Sequence, residues 1–177
     1  MTTTMQKILL AKCFTIEAAV QQDKINFELS DRALASSVPF VGRSAKDNGV
    51  VDYVSRVEDK INNGGTISIA LDGSTGSTFY QHHEFCSGQN IWLLQPAEAF
   101  DEPMSPLIAM FVVASIRKAV HAYSYNLSLT KTRLKKVKIL LPMTDGGKVD
   151  CDEIRKRMQR LRNIDHLEDI PATRCAT

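Results

Sequence analysis

Short apolar runs rich in β-branched and aromatic residues recur between Gly, Asn and Asp at residues 38–42, 50–54, 66–71, 77–81 and 90–94. Runs of that length with that punctuation predict the strands of a mainly antiparallel sheet. The pattern changes after Pro103. Residues 105–123 are apolar on nearly every face, which predicts a buried helix with Ser105 as N-cap and with Arg117, Lys118 and His121 at the end where cations complement the helix dipole. A further strand is predicted at 137–141, closed by Pro142, with Asp145-Gly146-Gly147 turning the chain after it. A last helix is predicted over about 150–164. Arg and Lys cover most of its faces, and its apolar stripe is only Ile154, Met158 and Leu161, so it reads as an element that docks on a partner. The expectation is α+β: a single domain with a mainly antiparallel twisted sheet, a buried helix and a short basic C-terminal helix. Residues 1–149 form its body and 150–177 the helix and tail.

Composition narrows the class. With 177 residues, 44% hydrophobic and 24% charged, the chain can bury a core, which excludes disordered and collagen-like classes. The longest apolar stretch, 106–114, is too short to span a bilayer and is soon followed by Arg117 and Lys118, so no membrane span is expected. Lys12 interrupts the apolar residues near the start and no small-residue cleavage pattern follows, which points away from a secretory signal and to the cytoplasm. Cys13, Cys86, Cys151 and Cys175 lie far apart with no C-x-x-C pair, so buried thiols are expected rather than zinc or disulfides.

Net charge is only +2, but its distribution is uneven. Arg117, Lys118, Lys131, Arg133, Lys135, Lys136 and Lys138 occur with no acidic residue among them, and Arg155, Lys156, Arg157, Arg160 and Arg162 form a second such group. Outside these two groups, ten basic residues face 20 acidic ones. The concentration in the C-terminal third fits either a solvated face or a surface that contacts phosphate.

Candidate chemistry is sparse. Asp72-Gly73-Ser74-Thr75-Gly76-Ser77-Thr78 between two predicted strands could bring N–H groups to a phosphate, yet it lacks the Gly-Lys-Ser/Thr ending of a nucleotide-triphosphate loop and opens no helix. An Asp-Gly hairpin explains the same residues. His82, His83, Glu84 and Cys86 offer metal-binding atoms, but adjacent strand residues point apart and no fourth ligand is evident. Glu58 and Lys60, with Asp47 or Asp52 upstream, could form the acidic and lysine set of a metal-dependent nuclease; they precede a turn signal rather than sit on a strand. No Ser-His-Asp spacing, G-x-S-x-G elbow or Asn-Pro-Pro-aromatic methyltransferase motif is present. No catalytic residue and no cofactor is expected.

Two strings are more specific. Val38-Pro39-Phe40-Val41-Gly42-Arg43-Ser44-Ala45-Lys46-Asp47-Asn48-Gly49-Val50 resembles a P-[YF]-V-x-R-[ST]-x-x-N-N-G-V segment of target-recognition domains in restriction-modification specificity subunits. Thr66 to Gln81 resembles their I-S-[IV]-x-x-x-G-x-x-G-x-x-F-Y-Q stretch, with Phe85, Gly88 and Asn90-Ile91 at fitting distances. The apolar helix, the basic stretch, and Ile139 to Pro142 followed by Asp145-Gly146 extend the similarity from about Lys24 to Arg162. Type I and type IIB specificity subunits share this grammar.

The resemblance implies that residues 1–149 are a non-catalytic DNA target-recognition domain that reads half of a split site on double-stranded DNA, while a separate adenine-N6 methyltransferase subunit modifies the base and a restriction subunit joins the complex. Arg43, Lys46 and Asn48 would lie on a loop near DNA, Arg suited to guanine and Asn to adenine. Ser74, Thr75 and Ser77 would reach phosphate or base edges, and Lys131, Arg133, Lys135 and Lys136 would grip phosphates. Ile154, Met158 and Leu161 would dock a partner. Phe79 and Tyr80 are read as core and Tyr80-Gln81 as framework. Specificity subunits usually hold two recognition domains joined by long helices, whereas this sequence shows one. A half subunit acting as a homodimer, a solitary domain, and a decoy that occupies the methyltransferase are the readings left open.

Overall fold

The structure, a computed structural model, describes residues 3–123, 128–161 and 164. In chain order its first elements are β1 (Thr4–Leu9), α1 (Leu10–Cys13), β2 (Phe14–Ala18), β3 (Ser37–Val41), β4 (Val50–Ser55), β5 (Thr66–Ala70) and β6 (Thr78–Gln81). They are followed by β7 (Cys86–Ser87), β8 (Ile91–Pro96), α2 (Pro106–Val120), α3 (Lys131–Lys136), β9 (Lys138–Met143) and α4 (Cys151–Met158).

Among the described residues the strands make three small sheets rather than one. β1 pairs with β9; β2, β8, β5 and β6 form a four-stranded antiparallel sheet in that order; β4, β3 and β7 form the third, in which β3 and β7 run parallel. In the central sheet Ile16, Leu94, Ile67 and Tyr80 stand opposite one another across four strands and turn one face into the main core. Alternation sends Leu93, Ala70 and Ile91 to the other face, where they meet Val41 and Phe85 beside the third sheet. The central sheet is thus covered on both faces.

α2 supplies most of the main core. Ser105 accepts a hydrogen bond from the Ile108 amide, and Pro106 opens the helix where its missing N–H costs nothing. Leu107, Ile108, Ala109, Val112, Val113, Ile116 and Val120 are buried. By length and composition the run Pro106–Tyr123 could also cross a membrane, but here it packs as a core helix. The Ser115 hydroxyl donates to Leu140 O at 2.8 Å and accepts from Leu140 N at 3.0 Å, which satisfies the open edge of β9.

α4 corrects the partner-docking expectation. Ile154 is fully buried and Met158 is 8% exposed, both in the same core as α2. A narrow stripe suffices when it meets one apolar helix. Of the three docking candidates only Leu161 is exposed. The helix is also shorter than predicted, ending at Met158; residues 162–163 and 165–177, including Arg162, Cys175 and the rest of the tail, lie outside the described residues.

Candidate nucleic-acid interface

One end of the central sheet collects the loops that the sequence singles out. The 72–77 turn joins β5 to β6 and carries two left-handed glycines, Gly73 (φ 63) and Gly76 (φ 81). A Cβ on Gly73 would stand 3.0 Å from the Arg43 Cβ, and one on Gly76 would stand 3.0 Å from Val120 Cγ2. The glycines therefore let the turn lie between the 42–49 loop and the end of α2. The Asp72 carboxylate accepts from Arg43 Nη1 at 2.9 Å and from Asn90 Nδ2 at 2.7 Å, and Ser74 N donates to Arg43 O at 3.3 Å. Arg117 crosses the edge of β6: its Nε donates to Thr78 O at 2.9 Å and its guanidinium lies 4.7 Å from the centre of the Phe79 ring. Partial burial lowers the Arg117 pKa from its usual value, yet an arginine stays charged. A groove of about 270 Å³ runs between Ala45, Thr75, Ser77, Phe79 and Arg117.

The 42–49 loop has a built-in shape. Asp47, Asn48 and Gly49 are all left-handed, at φ 50, 55 and 79. Asn48 Nδ2 donates to Tyr80 O at 3.1 Å and to Gln81 Oε1 at 3.2 Å, while Gln81 Nε2 donates to Asn48 O and to Ser68 Oγ, each at 3.0 Å. Both amide hydrogens of Asn48 are therefore committed within the chain. The geometry makes Asn48 a support of the loop rather than the adenine-facing group expected of it. Arg43 and Lys46 remain exposed, and the Nε and Nη2 of Arg43 make no hydrogen bond among the described residues.

The basic stretch adds the short helix α3, for which the sequence carries no apolar periodicity. Thr130 caps it by accepting from Arg133 N at 3.3 Å, and Leu134 anchors it in the core. Lys131 Nζ lies 4.8 Å from the centre of the Trp92 ring. Trp92 pairs with Ile69, which pairs with Thr78, so Lys131 stands at the same end of the sheet as the 72–77 turn. Arg133 Nη1 donates to Ser128 O at 2.5 Å, while Lys135 and Lys136 are exposed without an ion-pair partner among the described residues.

The other candidates do not converge. Glu58 accepts from Arg56 Nε at 2.6 Å; Arg56 also holds Glu84, and these two bonds keep its pKa above the usual value. Lys60 lies 5.1 Å from the centre of the Phe27 ring, and Asp52 pairs with Lys24 at 2.9 Å. No group of three or more His, Cys, Asp or Glu side chains positioned to hold a metal occurs among the described residues. Burial raises the thiol pKa values of Cys13 and Cys86 to about 11 and that of Cys151 to about 12, so all three stay protonated and inert. Sequence reasoning missed a cleft of about 640 Å³ beside the loop, lined by Arg32, Tyr53, Asn48, His82 and His83, with Arg32 5.5 Å from the centre of the Tyr53 ring. These residues come from separate elements, and only pairing of the strands brings them together.

Among the described residues three small sheets pack with α2 and gather loops and basic side chains at one sheet end, and the family that this chain matches is that of DNA specificity domains. The chain belongs to that family: the model of the type I restriction modification DNA specificity domain matches residues 13–171. It is 24% identical over 150 residues to the specificity subunit S.BcgI of a type II restriction enzyme from Heyndrickxia coagulans, covering 85% of this chain and 41% of that protein. Among solved structures, the S subunit of a type I restriction-modification system from M. genitalium superposes with a TM-score of 0.58 at 16% identity, over 93% of this chain and 41% of that one. The HsdS subunit from Thermoanaerobacter tengcongensis does so at 0.56 and 18%, over 92% and 37%. The chain thus spans about two fifths of the length of these relatives.

Proposed function

We propose that this chain reads DNA sequence for a restriction-modification system, in the cytoplasm, without a catalytic step of its own. It acts with an adenine-N6 methyltransferase subunit and a restriction subunit, and directs them to one part of a double-stranded target. The observation that carries this reading is the meeting of Arg43, Lys46, Ser74, Thr75, Ser77 and Lys131 at one end of the central sheet.

Arg43 is the base-reading group. Asp72 orients its guanidinium through Nη1 and leaves Nε and Nη2 to meet a guanine edge. The hydroxyls of the 72–77 turn reach phosphate or base edges, and Lys131, Arg133, Lys135 and Lys136 bind phosphates, supplying affinity without sequence information. Replacing Lys131, Arg133 and Lys135 together with Ala should weaken binding to every duplex and flatten its salt dependence. An unchanged salt slope would remove the phosphate assignment.

A further inference from the structure

Outside the basic stretch, two lysines of the N-terminal segment stand where that stretch continues. The β1–β9 pairing places Lys7 opposite Leu140 and Leu9 opposite Lys138. Ile139 is buried, so alternation turns Lys7, Lys138 and Leu140 to the outer face, where all three are exposed. Leu10 N donates to Val137 O at 2.8 Å and carries the pairing on from the strands into α1 and α3. α1 buries Leu10 and Cys13 and leaves Lys12 outside, just as α3 buries Leu134 and leaves Lys135 and Lys136 outside. Two antiparallel segments, β1–α1 and α3–β9, therefore bring together cations that lie over 100 residues apart in sequence. None of the four elements contains an acidic residue, and Lys7, Lys12 and Lys138 have no hydrogen-bond or ion-pair partner among the described residues.

We propose that this face, with Lys7, Lys12 and Lys138 added to α3, grips the sugar-phosphate backbone of the duplex beside the bases that are read. The inference rests on the DNA-reading function above and extends its footprint to the N-terminal segment. Like charges held this close repel one another unless a polyanion lies against them. A duplex suits that demand, since the roughly 9 Å length of α3 spans about three phosphates of a strand that carries one charge per about 3.4 Å of helix axis. A protein partner suits it less, because strongly hydrated lysines are depleted at protein interfaces. This face adjoins, through α1, the end of the central sheet where Phe14 pairs with Pro96, and α3 links it to Lys131, which lies on Trp92 at the reading end.

The test is the salt dependence of duplex affinity for the full chain and for the K7A/K12A/K138A variant, on selected and scrambled duplexes. Three lost phosphate contacts should lower the slope of log affinity against log salt by about 2.7. Affinity should fall by a similar factor on both duplexes, with an unchanged melting temperature. The charge-retaining K7R/K12R/K138R variant should keep the slope of the parent. A parent that binds its selected duplex while the alanine variant shows the same slope would overturn this proposal alone and leave the face to an acidic protein partner. A parent with no salt-dependent binding to any duplex would overturn the DNA-reading function, and this proposal with it.

Discussion

Gln81 and Asn48 hold each other by their side-chain amides: Asn48 Nδ2 donates to Gln81 Oε1 at 3.2 Å, and Gln81 Nε2 returns a bond to the main-chain oxygen of Asn48 at 3.0 Å. Gln81 is only 3% exposed, and its bond to the buried Ser68 hydroxyl is made where water does not compete, while its two bonds to Asn48 reach the exposed side. They fix a loop that starts at Arg43 and passes through three left-handed residues. Gln81→Leu should cost about 1–3 kcal/mol of stability, because the buried Ser68 hydroxyl loses one of its partners and the Asn48 loop loses its clamp. At a temperature where the variant is folded, it should also lose preference among duplexes while its salt slope is kept. Chemical denaturation and competition binding check the two parts.

Arg43 and Asp72 form an exposed pair, each with 46% of its side chain accessible, so Asp72→Ala should change stability by less than about 1 kcal/mol. Its effect should instead appear in recognition. Without Asp72 the guanidinium is no longer oriented and a negative charge is gone from the reading end, so affinity for arbitrary duplexes should rise while discrimination falls. Arg43→Ala should reduce discrimination without the rise in affinity. Titrations against matched and single-mismatch duplexes separate the two variants.

Ile154 and Met158 act in the core. Ile154→Ala should cost about 2–5 kcal/mol, measured by denaturant unfolding. Leu161→Ala, at a 55% exposed side chain, should leave stability within about 0.5 kcal/mol. A partner-docking stripe would give the reverse, with Ile154 tolerant in the isolated chain.

Asp150 caps α4, accepting from Glu153 N at 2.9 Å and from the Thr3 hydroxyl. The Thr3 bond first, then the Glu153 amide, holds its carboxyl below the usual carboxylate range. A pKa lower in the folded state than in the unfolded one gives stabilisation that is complete above about pH 4 and is lost as pH falls through the folded value. Melting temperature measured from pH 6 to pH 3 should therefore fall less steeply for Asp150→Asn, which keeps a cap, than for the parent.

Much of this arrangement was legible in the sequence because its signals are local. Ser105-Pro106 and the apolar run after it mark α2, and the apolar runs mark β3, β4, β5, β6 and β8 to within two residues at either end. The sequence predicts no strand at β1, where Lys7 breaks the apolar pattern, or at β2, whose Phe14-Thr15-Ile16-Glu17-Ala18 alternation is short and follows β1 with only α1 between them; pairing with β9 and β8 makes these segments strands. The division into three sheets is likewise a matter of which strands meet. The 72–77 turn could be picked out from its glycine and hydroxyl residues, whereas Arg43 stands out only through the family resemblance of the 38–50 string. The burial of Ile154, the committed amide of Asn48 and the clamp at Gln81 could not, since each depends on a neighbour distant in sequence.

Whether this chain reads DNA sequence is decided by selection of bound duplexes from a random library at moderate salt, with the chain alone and with a methyltransferase subunit present. Enrichment of one short or split motif, lost or broadened in Arg43→Ala, is the expected result. Folded protein that enriches no motif in either condition would contradict it.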